Sequence, residues 1–285
     1  MTLDPAAADQ KSSIPTLDWS DSSINITIFA STKYLMMHDF AVVTVRNSST
    51  RLPNKAILEI APQLKSIEAV IERAKRTHLP VVLATSTDDS DDIFEEIASK
   101  NKIQIFRGAL LNKIKRWKDC FDQFQINNAL LIDGDDLLYD YDIGIRAINK
   151  LHHTDALMIK HPEDIICGYF TYAIKNEGMN TLYDFAKQEN TNTDVITEFI
   201  KQSGITVDIL ELTHWEREKS FRLTLDYEED LLFFIELIKQ VGIGAEGKTI
   251  TNFLDAHPEI VNINLHRQND WAMNQKKFNE EVKNR

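Results

Sequence analysis

The sequence predicts an α/β protein with a mixed, mostly parallel sheet, because short apolar strands alternate with amphipathic helices. Four apolar segments with strand character follow one another at 41–45, 81–86, 103–108 and 129–135. Segments with helical periodicity separate them, and parallel strands need crossovers of this kind. In open parallel sheets, ligands bind beyond the carboxyl ends of the strands, so the residues after each strand are candidates for a site.

Each element of this pattern has its own signal. After the strand AVVTV, the apolar residues of IEAVIERAKRT fall on one helical stripe. SDDIFEEIASK carries acidic residues at its N-terminal end, where the helix dipole favours them. The remaining elements are the strands VVLATS, IQIFRG and ALLIDGD and the helix LLNKIKRWKDCFDQF.

The second half of the chain is less regular, and the first 38 residues stand apart. DALMIK, YFTYAI, TVDILEL and FRLTLD have strand character, two helices lie between the second and third of these, and EEDLLFFIELIKQ is a helix. Residues 1–38 are rich in Ser, Asp, Ala and Thr, and only Ser23–Phe29 is strand-like. We therefore expect an N-terminal extension at 1–38 and one domain at 39–285.

Composition excludes several classes of protein. The chain has 285 residues, 43% of them apolar, which is enough for a full core. A net charge of -12 argues against a protein that coats nucleic acid. The two cysteines, Cys120 and Cys167, fit a reducing compartment, and no apolar stretch suits a membrane span or a signal peptide. We expect a cytoplasmic protein with no nucleic-acid or membrane partner.

The loop after the first strand is suited to holding an anion. In VVTVRNSSTRLPNKAIL, an apolar run stops at an arginine and continues with hydroxyl groups and two further cations. Such groups can converge on several phosphates, and a nucleoside triphosphate matches their density. An ordinary solvated loop is the alternative on local sequence alone. The candidate phosphate-binding residues are Arg46, Ser48, Ser49, Thr50, Arg51 and Lys55.

Carboxylates follow the fourth strand. The segment IDGDD places Asp133, Asp135 and Asp136 there, either as a turn or as a site for Mg²⁺. Mg²⁺ that bridges phosphates takes one or two carboxylates and keeps several waters. The residues predicted along this edge of the sheet are Arg46, Thr85, Arg107 and Asp135.

The order of these motifs resembles one family. VRNSSTRLPNK is similar to the opening loop A-R-x-x-S-[ST]-R-L-P-x-K of cytidylyltransferases that make CMP-activated acidic sugars. The spore-coat polysaccharide type and the CMP-Kdo and acylneuraminate synthetases are the members it most resembles. The likeness continues through IERAKR, ATSTDDSDD, IFRG, the GD after the fourth strand, RLTLDYEEDL and DAHPEI, and covers roughly residues 40–265. It implies a Rossmann-like nucleotide-diphospho-sugar transferase fold of the GT-A-like kind.

The resemblance also implies roles for individual residues. Arg46, Ser49, Arg51 and Lys55 would grip the triphosphate of CTP, and Arg51 and Lys55 would stabilise the pyrophosphate that leaves. Thr85 and Ser86 would lie near the cytosine and ribose, with Arg107 at the same rim. Asp135 and Asp226 would hold the catalytic Mg²⁺, and no general base is assigned.

The acceptor that the family implies is an acidic sugar, activated as a precursor of surface glycans. A sugar phosphate or polyol phosphate, which would give a CDP-linked product, is an alternative. We expect the acceptor contacts in an insertion at about 150–213, where Lys160 or His161 could meet an anionic acceptor. His152, His153 and His161 are otherwise expected to be surface residues, and the resemblance allows a homodimer.

The sequence departs from the family pattern at several positions. Ser48 and Asn54 stand where glycine is frequent, and asparagine adopts the left-handed conformation more readily than serine. Leu137 replaces a proline, and DYEEDL replaces D-T-P-E-D-L.

Three other functions fit parts of the sequence. GIGAEGKT at 242–249 matches a P-loop, but the segment before it is helical, so its glycines are expected to end a helix. Asp133 and Asp135 spell the DxD motif of GT-A glycosyltransferases that use nucleotide sugars. A nucleotide-binding homologue without turnover is the third alternative.

Overall fold

The computed structural model describes residues 38–49, 51–187, 191–217 and 220–283, and the side chains up to 280. The predicted extension, its strand at Ser23–Phe29 and the side chain of Thr50 lie outside these ranges, apart from residue 38. The division into an extension and one domain therefore stays a prediction.

Apart from the hairpin β2–β3, the described strands and helices alternate as the sequence predicts up to β6. The strands are β1 Asp39–Thr44, β2 Glu59–Ala61, β3 Leu64–Lys65, β4 Val81–Ser86, β5 Gln104–Gly108, β6 Asn128–Asp133, β7 Met158–Lys160, β8 Tyr172–Lys175 and β9 Val207–Ile209. The α-helices are α1 Ser66–Lys75, α2 Ile93–Asn101, α3 Lys113–Phe124, α4 Tyr141–His152, α5 Asn176–Ala186, α6 Thr197–Ser203, α7 Glu228–Val241, α8 Gly247–Ala256, α9 Pro258–Val261 and α10 Arg267–Lys283.

Seven strands form one twisted sheet in the order β5-β4-β1-β6-β8-β7-β9. β1 pairs in parallel with β4 and β6, β4 with β5, and β7 with β9. Only β8 runs antiparallel to its neighbours, β6 and β7. The predicted α/β fold with a mixed, mostly parallel sheet is confirmed.

Two apolar layers cover the two faces of the sheet, and the burial of β1 on both faces shows this. Ala41 and Val43 pack into one layer and Phe40 and Val42 into the other. Alternating side chains of a strand point to opposite faces, so this pattern requires helices on both sides. The first layer includes residues of α1, α2, α4 and α7, and the second includes residues of α3, α5 and α6.

The predicted strand FRLTLD is wrong. Residues 221–226 form no regular strand, and Arg222 makes a single bridge to Cys167. Their apolar side chains are buried in the core, including Leu223 and Leu225. The alternation of apolar and polar residues in FRLTLD therefore indicates a buried segment, but in the described part of the chain this segment has no partner strand with which to form a ladder of hydrogen bonds.

Other parts of the chain were not predicted. The short hairpin β2–β3 turns at Gln63, which has a φ of 62°. The C-terminal helix α10 carries few apolar residues and gave no clear periodic signal. None of the helices in the described part of the chain has both the length and the apolarity needed to cross a membrane.

The glycine-rich segment at 242–249 ends a helix, as expected. It follows α7 rather than a strand, and Gly242 has a φ of 76° while its N–H donates to Ile238 O at 2.8 Å. Lys248 is exposed on α8. A P-loop requires a strand before it, so this segment is not one.

Candidate functional site

A cleft of about 790 Å³ opens at the carboxyl edge of β1 and β6. This edge collects the loops after β1, β4, β5 and β6, because Thr44 pairs with Asp133 and Thr85 with Arg107. Ligands of parallel sheets bind at this position. The residues that line the cleft include Arg46, Ser48, Ser49, Arg51, Lys55, Lys113, Arg116, Asp133, Asp135, Asp136, His161, Asp194, Trp271, Asn274 and Lys277.

Lys55 joins two carboxylates that are far apart in the sequence. Its Nζ lies 2.7 Å from Oδ2 of Asp135 and 2.8 Å from Oδ1 of Asp226. Nη2 of Arg51 lies 2.6 Å from the same oxygen of Asp226. Two of the loop cations, Arg51 and Lys55, thus meet the two aspartates that the family resemblance assigns to the metal.

The backbone brings Lys55 and Asp135 together. Asn54 adopts the left-handed conformation, with a φ of 57°, and Lys55 begins a short 3₁₀ turn. Ser48 is not among the described residues with positive φ. Of the two positions where the family often has glycine, only Asn54 therefore uses the conformation that favours glycine. On the other strand, Gly134 N donates to Thr44 O at 2.8 Å and fixes the turn before Asp135.

A buried network holds Asp226. Arg222 is completely buried, with Nη2 3.1 Å from Oδ2 of Asp226 and Nε 2.9 Å from Oδ1 of Asp230. Asp230 also accepts from the backbone N–H of Asp226 at 2.9 Å, and the amide of Asn264 donates to it at 2.9 Å. Leu225 N donates to Asp135 O at 2.9 Å, which ties the irregular segment to the turn after β6.

These charges hold each other ionised. Burial alone would lower the pKa of Lys55, but Asp135 and Asp226 outweigh it and raise the pKa above the usual value. Burial alone would raise the pKa of Asp226, but Lys55 and Arg51 outweigh it and lower that pKa. Both groups are therefore charged at neutral pH.

The pair of carboxylates fits a divalent cation. Two carboxylate oxygens already converge on the single positive charge of Lys55, at distances of 2.7 and 2.8 Å. Among the described residues there is no cluster of three or more metal-ligating side chains. A cation here would have two protein carboxylates, which suits Mg²⁺ because it keeps waters and phosphate oxygens as its other ligands.

The neighbouring acids behave differently. Burial raises the pKa of Asp133, and Lys113, with Nζ 3.2 Å from Oδ1, partly offsets that effect. Burial, with the negative charges of Asp135 and Asp133, raises the pKa of Asp136 well above its usual value. Asp135 and Asp226, unlike Asp133 and Asp136, are the acids that Lys55 or Arg51 contacts directly.

Arg46 lies in the cleft, apart from this cluster. Its guanidinium pairs with Asp194 and donates to Leu110 O at 3.2 Å. Ser48 is exposed, and Oγ of Ser49 is 3.5 Å from the backbone N of Leu52. All three residues line the cleft, as the sequence predicts for the loop.

Thr85, Ser86 and Arg107 are not among the residues that line the cleft. Thr85 and Ser86 are completely buried, and both hydroxyls donate to Asp91. Oδ1 of Asp91 accepts from Asn47 N at 2.7 Å, so these residues position the loop instead.

The guanidinium of Arg107 is bound by residues of β4 and of the segment that follows β4. Its Nη1 lies 2.7 Å from Glu95, and its Nη2 lies 2.6 Å from Asp92. Its Nε donates to Ser86 O at 3.0 Å. The position of Thr85, Ser86 and Arg107 at this edge of the sheet was predicted. The direction of their side chains depends on carboxylates in the segment between β4 and β5, namely Asp91, Asp92 and Glu95.

Several cleft residues carry little signal in the local sequence. Lys113 and Arg116, one turn apart at the start of α3, could have been noticed as two cations just after a strand of the sheet. Asp194 and the α10 residues lie far from every motif. The ring of Tyr227 connects α10 to the site. Its centroid lies 5.6 Å from the guanidinium carbon of Arg51 and 5.0 Å from that of Arg267, which belongs to α10.

Comparisons with known proteins agree with this fold, although no family model matches the chain. Spore coat polysaccharide biosynthesis protein SpsF of Bacillus subtilis is 23% identical over 215 residues, 70% of this chain and 86% of that protein. A cytidylyltransferase from Leptospira borgpetersenii has a TM-score of 0.72 and 20% identity, and the match covers 79% of this chain and 97% of that one. The CTP complex of CMP:2-keto-3-deoxy-manno-octonic acid synthetase has a TM-score of 0.56 and 14% identity, with 71% of this chain and 98% of that one covered.

At these identities the solved structures establish the fold. The predicted resemblance to cytidylyltransferases is confirmed, and the proteins that share the fold are nucleotidyltransferases. The predicted nucleotide-diphospho-sugar transferase fold is confirmed with it.

Proposed function

We propose that this protein transfers CMP from CTP to a sugar-type acceptor and releases pyrophosphate. The observation that carries the proposal is the contact of Lys55 with Asp135 and Asp226, at 2.7 and 2.8 Å. Lys55, Asp135 and Arg51 line the cleft at the carboxyl edge of the sheet, and Asp226 is buried next to them. Cations from one loop and acids from two distant segments meet there, as a metal-bound triphosphate requires. The fold shared with the Leptospira cytidylyltransferase supports the choice of CTP.

The residues of this chain act mainly by position and charge. Arg51 and Lys55 would hold the β- and γ-phosphates and stabilise the negative charge that develops as pyrophosphate leaves. Ser48 and Ser49 line the same cleft and can donate to phosphate oxygens. Arg222 and Asp230 keep the carboxylate of Asp226 in place from behind.

Mg²⁺ would be held by Asp135 and Asp226. When bound, it would neutralise charge on the α- and β-phosphates and favour in-line attack at the α-phosphorus. Burial would raise the pKa of Asp226, but Lys55 and Arg51 outweigh burial and lower that pKa. The carboxylate therefore stays ionised and can bind a cation.

The acceptor is proposed to be an acidic sugar, activated for surface glycans, with a sugar or polyol phosphate as the alternative. His161, Asp194 and Val195, from the predicted acceptor insertion, line the same cleft as the loop. Trp271, Asn274 and Lys277 of α10 line it too. The acceptor side therefore includes a helix beyond the predicted insertion.

We propose a cytoplasmic location, where CTP is available and the free thiols of Cys120 and Cys167 stay reduced. The family resemblance supports a homodimer, and the composition of residues 1–38 supports an N-terminal extension, both as proposals.

The test is a nucleotide panel with pyrophosphate release as the readout. With Mg²⁺ and a series of sugar acids, we expect release from CTP in preference to UTP, ATP and GTP. Asp135→Asn should reduce kcat/KM by about 100-fold or more while the variant stays folded. Indifference to CTP together with tight binding of a UDP-sugar would replace this proposal with a GT-A glycosyltransferase. CTP binding without turnover of any acceptor would indicate the silent homologue.

A further inference from the structure

Arg116 carries a buried positive charge that makes no direct ion pair with a carboxylate in the described part of the chain, although the charges of Asp194, Asp91 and Asp133 act on it from farther away. The residue is 1% exposed and lines the cleft. Its Nη1 donates to Ala109 O at 2.9 Å and lies 3.4 Å from Leu110 O, while its buried Nε has no hydrogen-bond partner. A buried charge is costly unless it is paired, so this side chain favours an anion in the cleft.

Arg46 lies beside Arg116. Its Nη1 donates at 3.2 Å to the same carbonyl oxygen, Leu110 O. Burial, and next the positive charge of Arg46, lower the pKa of Arg116 to about 10. Two adjacent guanidinium groups that share one carbonyl present several N–H donors to a single oxyanion.

Asp194 forms an ion pair with one of these guanidinium groups, that of Arg46. Its carboxylate pairs with Nη2 of Arg46 and is 37% exposed, and among the described residues the carboxylate has no other hydrogen-bond partner. The backbone next to it is fixed, because Thr193 N donates to Leu111 O at 3.3 Å and Ile114 N donates to Oγ1 of Thr193 at 3.2 Å. The carboxylate can therefore rotate away without a change in the path of the chain.

We propose that Arg46 and Arg116 together bind one oxyanion group of the substrate, and that Asp194 is an internal occupant which this group displaces. The ligand group is a phosphate or a carboxylate, and the proposed function supplies one source of each. The first is the triphosphate of the nucleotide, and the second is the carboxylate of an acidic acceptor. The identity of the ligand rests on the proposed function, but the site itself rests on the geometry of Arg46, Arg116 and Asp194.

Titration calorimetry on Asp194→Asn tests this site. The probes are pyrophosphate and CTP, each with Mg²⁺, and 2-keto-3-deoxy-manno-octonic acid as a sugar acid. Removing the competing carboxylate should raise the affinity for one class of probe about five-fold, because the probe no longer has to displace Asp194 from Arg46. A gain for pyrophosphate and CTP assigns the site to the triphosphate, and a gain for the sugar acid alone assigns it to the acceptor.

The matched control is Asp184→Asn, which removes the same charge from a 74% exposed carboxylate on α5 outside the cleft. It should leave every affinity unchanged. In the Asp194→Asn background, Arg46→Gln should cancel the gain. Arg46 is 22% exposed, so replacing it carries less folding risk than replacing the buried Arg116. Equal affinities of wild type and Asp194→Asn for all probes would overturn the inference, whereas failure of the proposed function would appear as absence of CTP turnover in the wild type.

Discussion

Arg222 and Asp230 form a completely buried ion pair directly behind Asp226, the acid that contacts Lys55 and Arg51, with Nε 2.9 Å from Oδ1. Asp230 accepts from the backbone N–H groups of Asp226 and Tyr227, at 2.9 and 3.0 Å. The pair therefore fixes the conformation of the irregular segment at the point where it supplies Asp226.

We predict that Asp230→Asn destabilises the fold by about 3–5 kcal/mol, because it leaves a buried guanidinium short of one counter-charge. Urea unfolding followed by circular dichroism measures this loss. Asp119→Asn, which breaks a partly exposed pair with Lys115 at 2.7 Å, should cost less than about 1 kcal/mol. Equal effects of the two substitutions would refute a structural role for the buried pair.

Lys55→Ala should have opposite effects on catalysis and on metal binding. We expect kcat/KM for CTP to fall by about 100- to 1,000-fold, because a cation that stabilises the leaving pyrophosphate is lost. Affinity for Mn²⁺, measured by electron paramagnetic resonance, should rise, since no ammonium competes for Asp135 and Asp226. Lys248→Ala, at the exposed lysine of the glycine-rich segment, is the control and should change neither value. Loss of nucleotide binding in that control would revive a P-loop.

Gly134→Ala should damage both stability and the site. A Cβ at this position would lie 2.7 Å from Thr44 O, a backbone atom that cannot move freely. We expect a loss of about 1–3 kcal/mol from overpacking and a rise in the KM for CTP, because Asp135 follows directly. Gly204→Ala, where a Cβ meets nothing within 4 Å but φ is 74°, should cost about 1 kcal/mol and leave the KM unchanged. An unchanged KM in Gly134→Ala would show that this turn does not position Asp135.

Glu68 gives the fold a defined pH dependence. Lys100 Nζ lies 2.7 Å from Oε1, and Lys65 N donates to Oε2 at 3.0 Å. Burial opposes ionisation, but these donors outweigh it and lower the pKa of Glu68 below its ordinary value of 4.5. A lowered folded-state pKa means that its stabilising contribution is complete above about pH 4.5 and is lost as the pH falls through the folded-state value.

The difference in unfolding free energy between wild type and Glu68→Gln should therefore shrink between pH 6 and pH 3. Urea midpoints at several pH values measure it, and Glu72→Gln on the same helix is the charge-matched control. A difference that stays constant over this range would show that the Glu68 charge does not stabilise α1.

The ring of Tyr227 links α10 to Arg51 of the loop after β1. Arg51, Arg222 and Arg267 lie 5.6, 5.4 and 5.0 Å from its centroid. We predict that Tyr227→Leu raises the KM for CTP about 3- to 10-fold, in line with about 0.5–2 kcal/mol for cation–π contacts. Tyr227→Phe keeps the ring and loses only the hydroxyl, 3.2 Å from Nδ2 of Asn274, so its KM should stay close to wild type. Equal KM values for both variants and the wild type would exclude this coupling.

The local sequence was sufficient for the first half of the fold and for part of the site. Strands β1, β4 and β6 follow from largely apolar runs, because a strand covered on both faces has little room for polar residues, and β5 follows from the shorter run at the edge of the sheet. The loop from Arg46 to Lys55 and the acid Asp135 were predictable, since their groups lie just after such strands and their chemistry is typical of phosphate and metal sites.

Only the tertiary structure decided the rest. Asp226 was named from the family resemblance, but the segment around it is irregular, and its position depends on Arg222, Asp230 and Asn264. Thr85 and Ser86 have site-like chemistry, yet Asp91 takes both hydroxyls. The partnership of Asp194 with Arg46 depends on how the second half of the chain folds back over α3. Periodicity and motifs record what each segment prefers alone, whereas these contacts join residues far apart in sequence, and their partners exist only once the chain has packed.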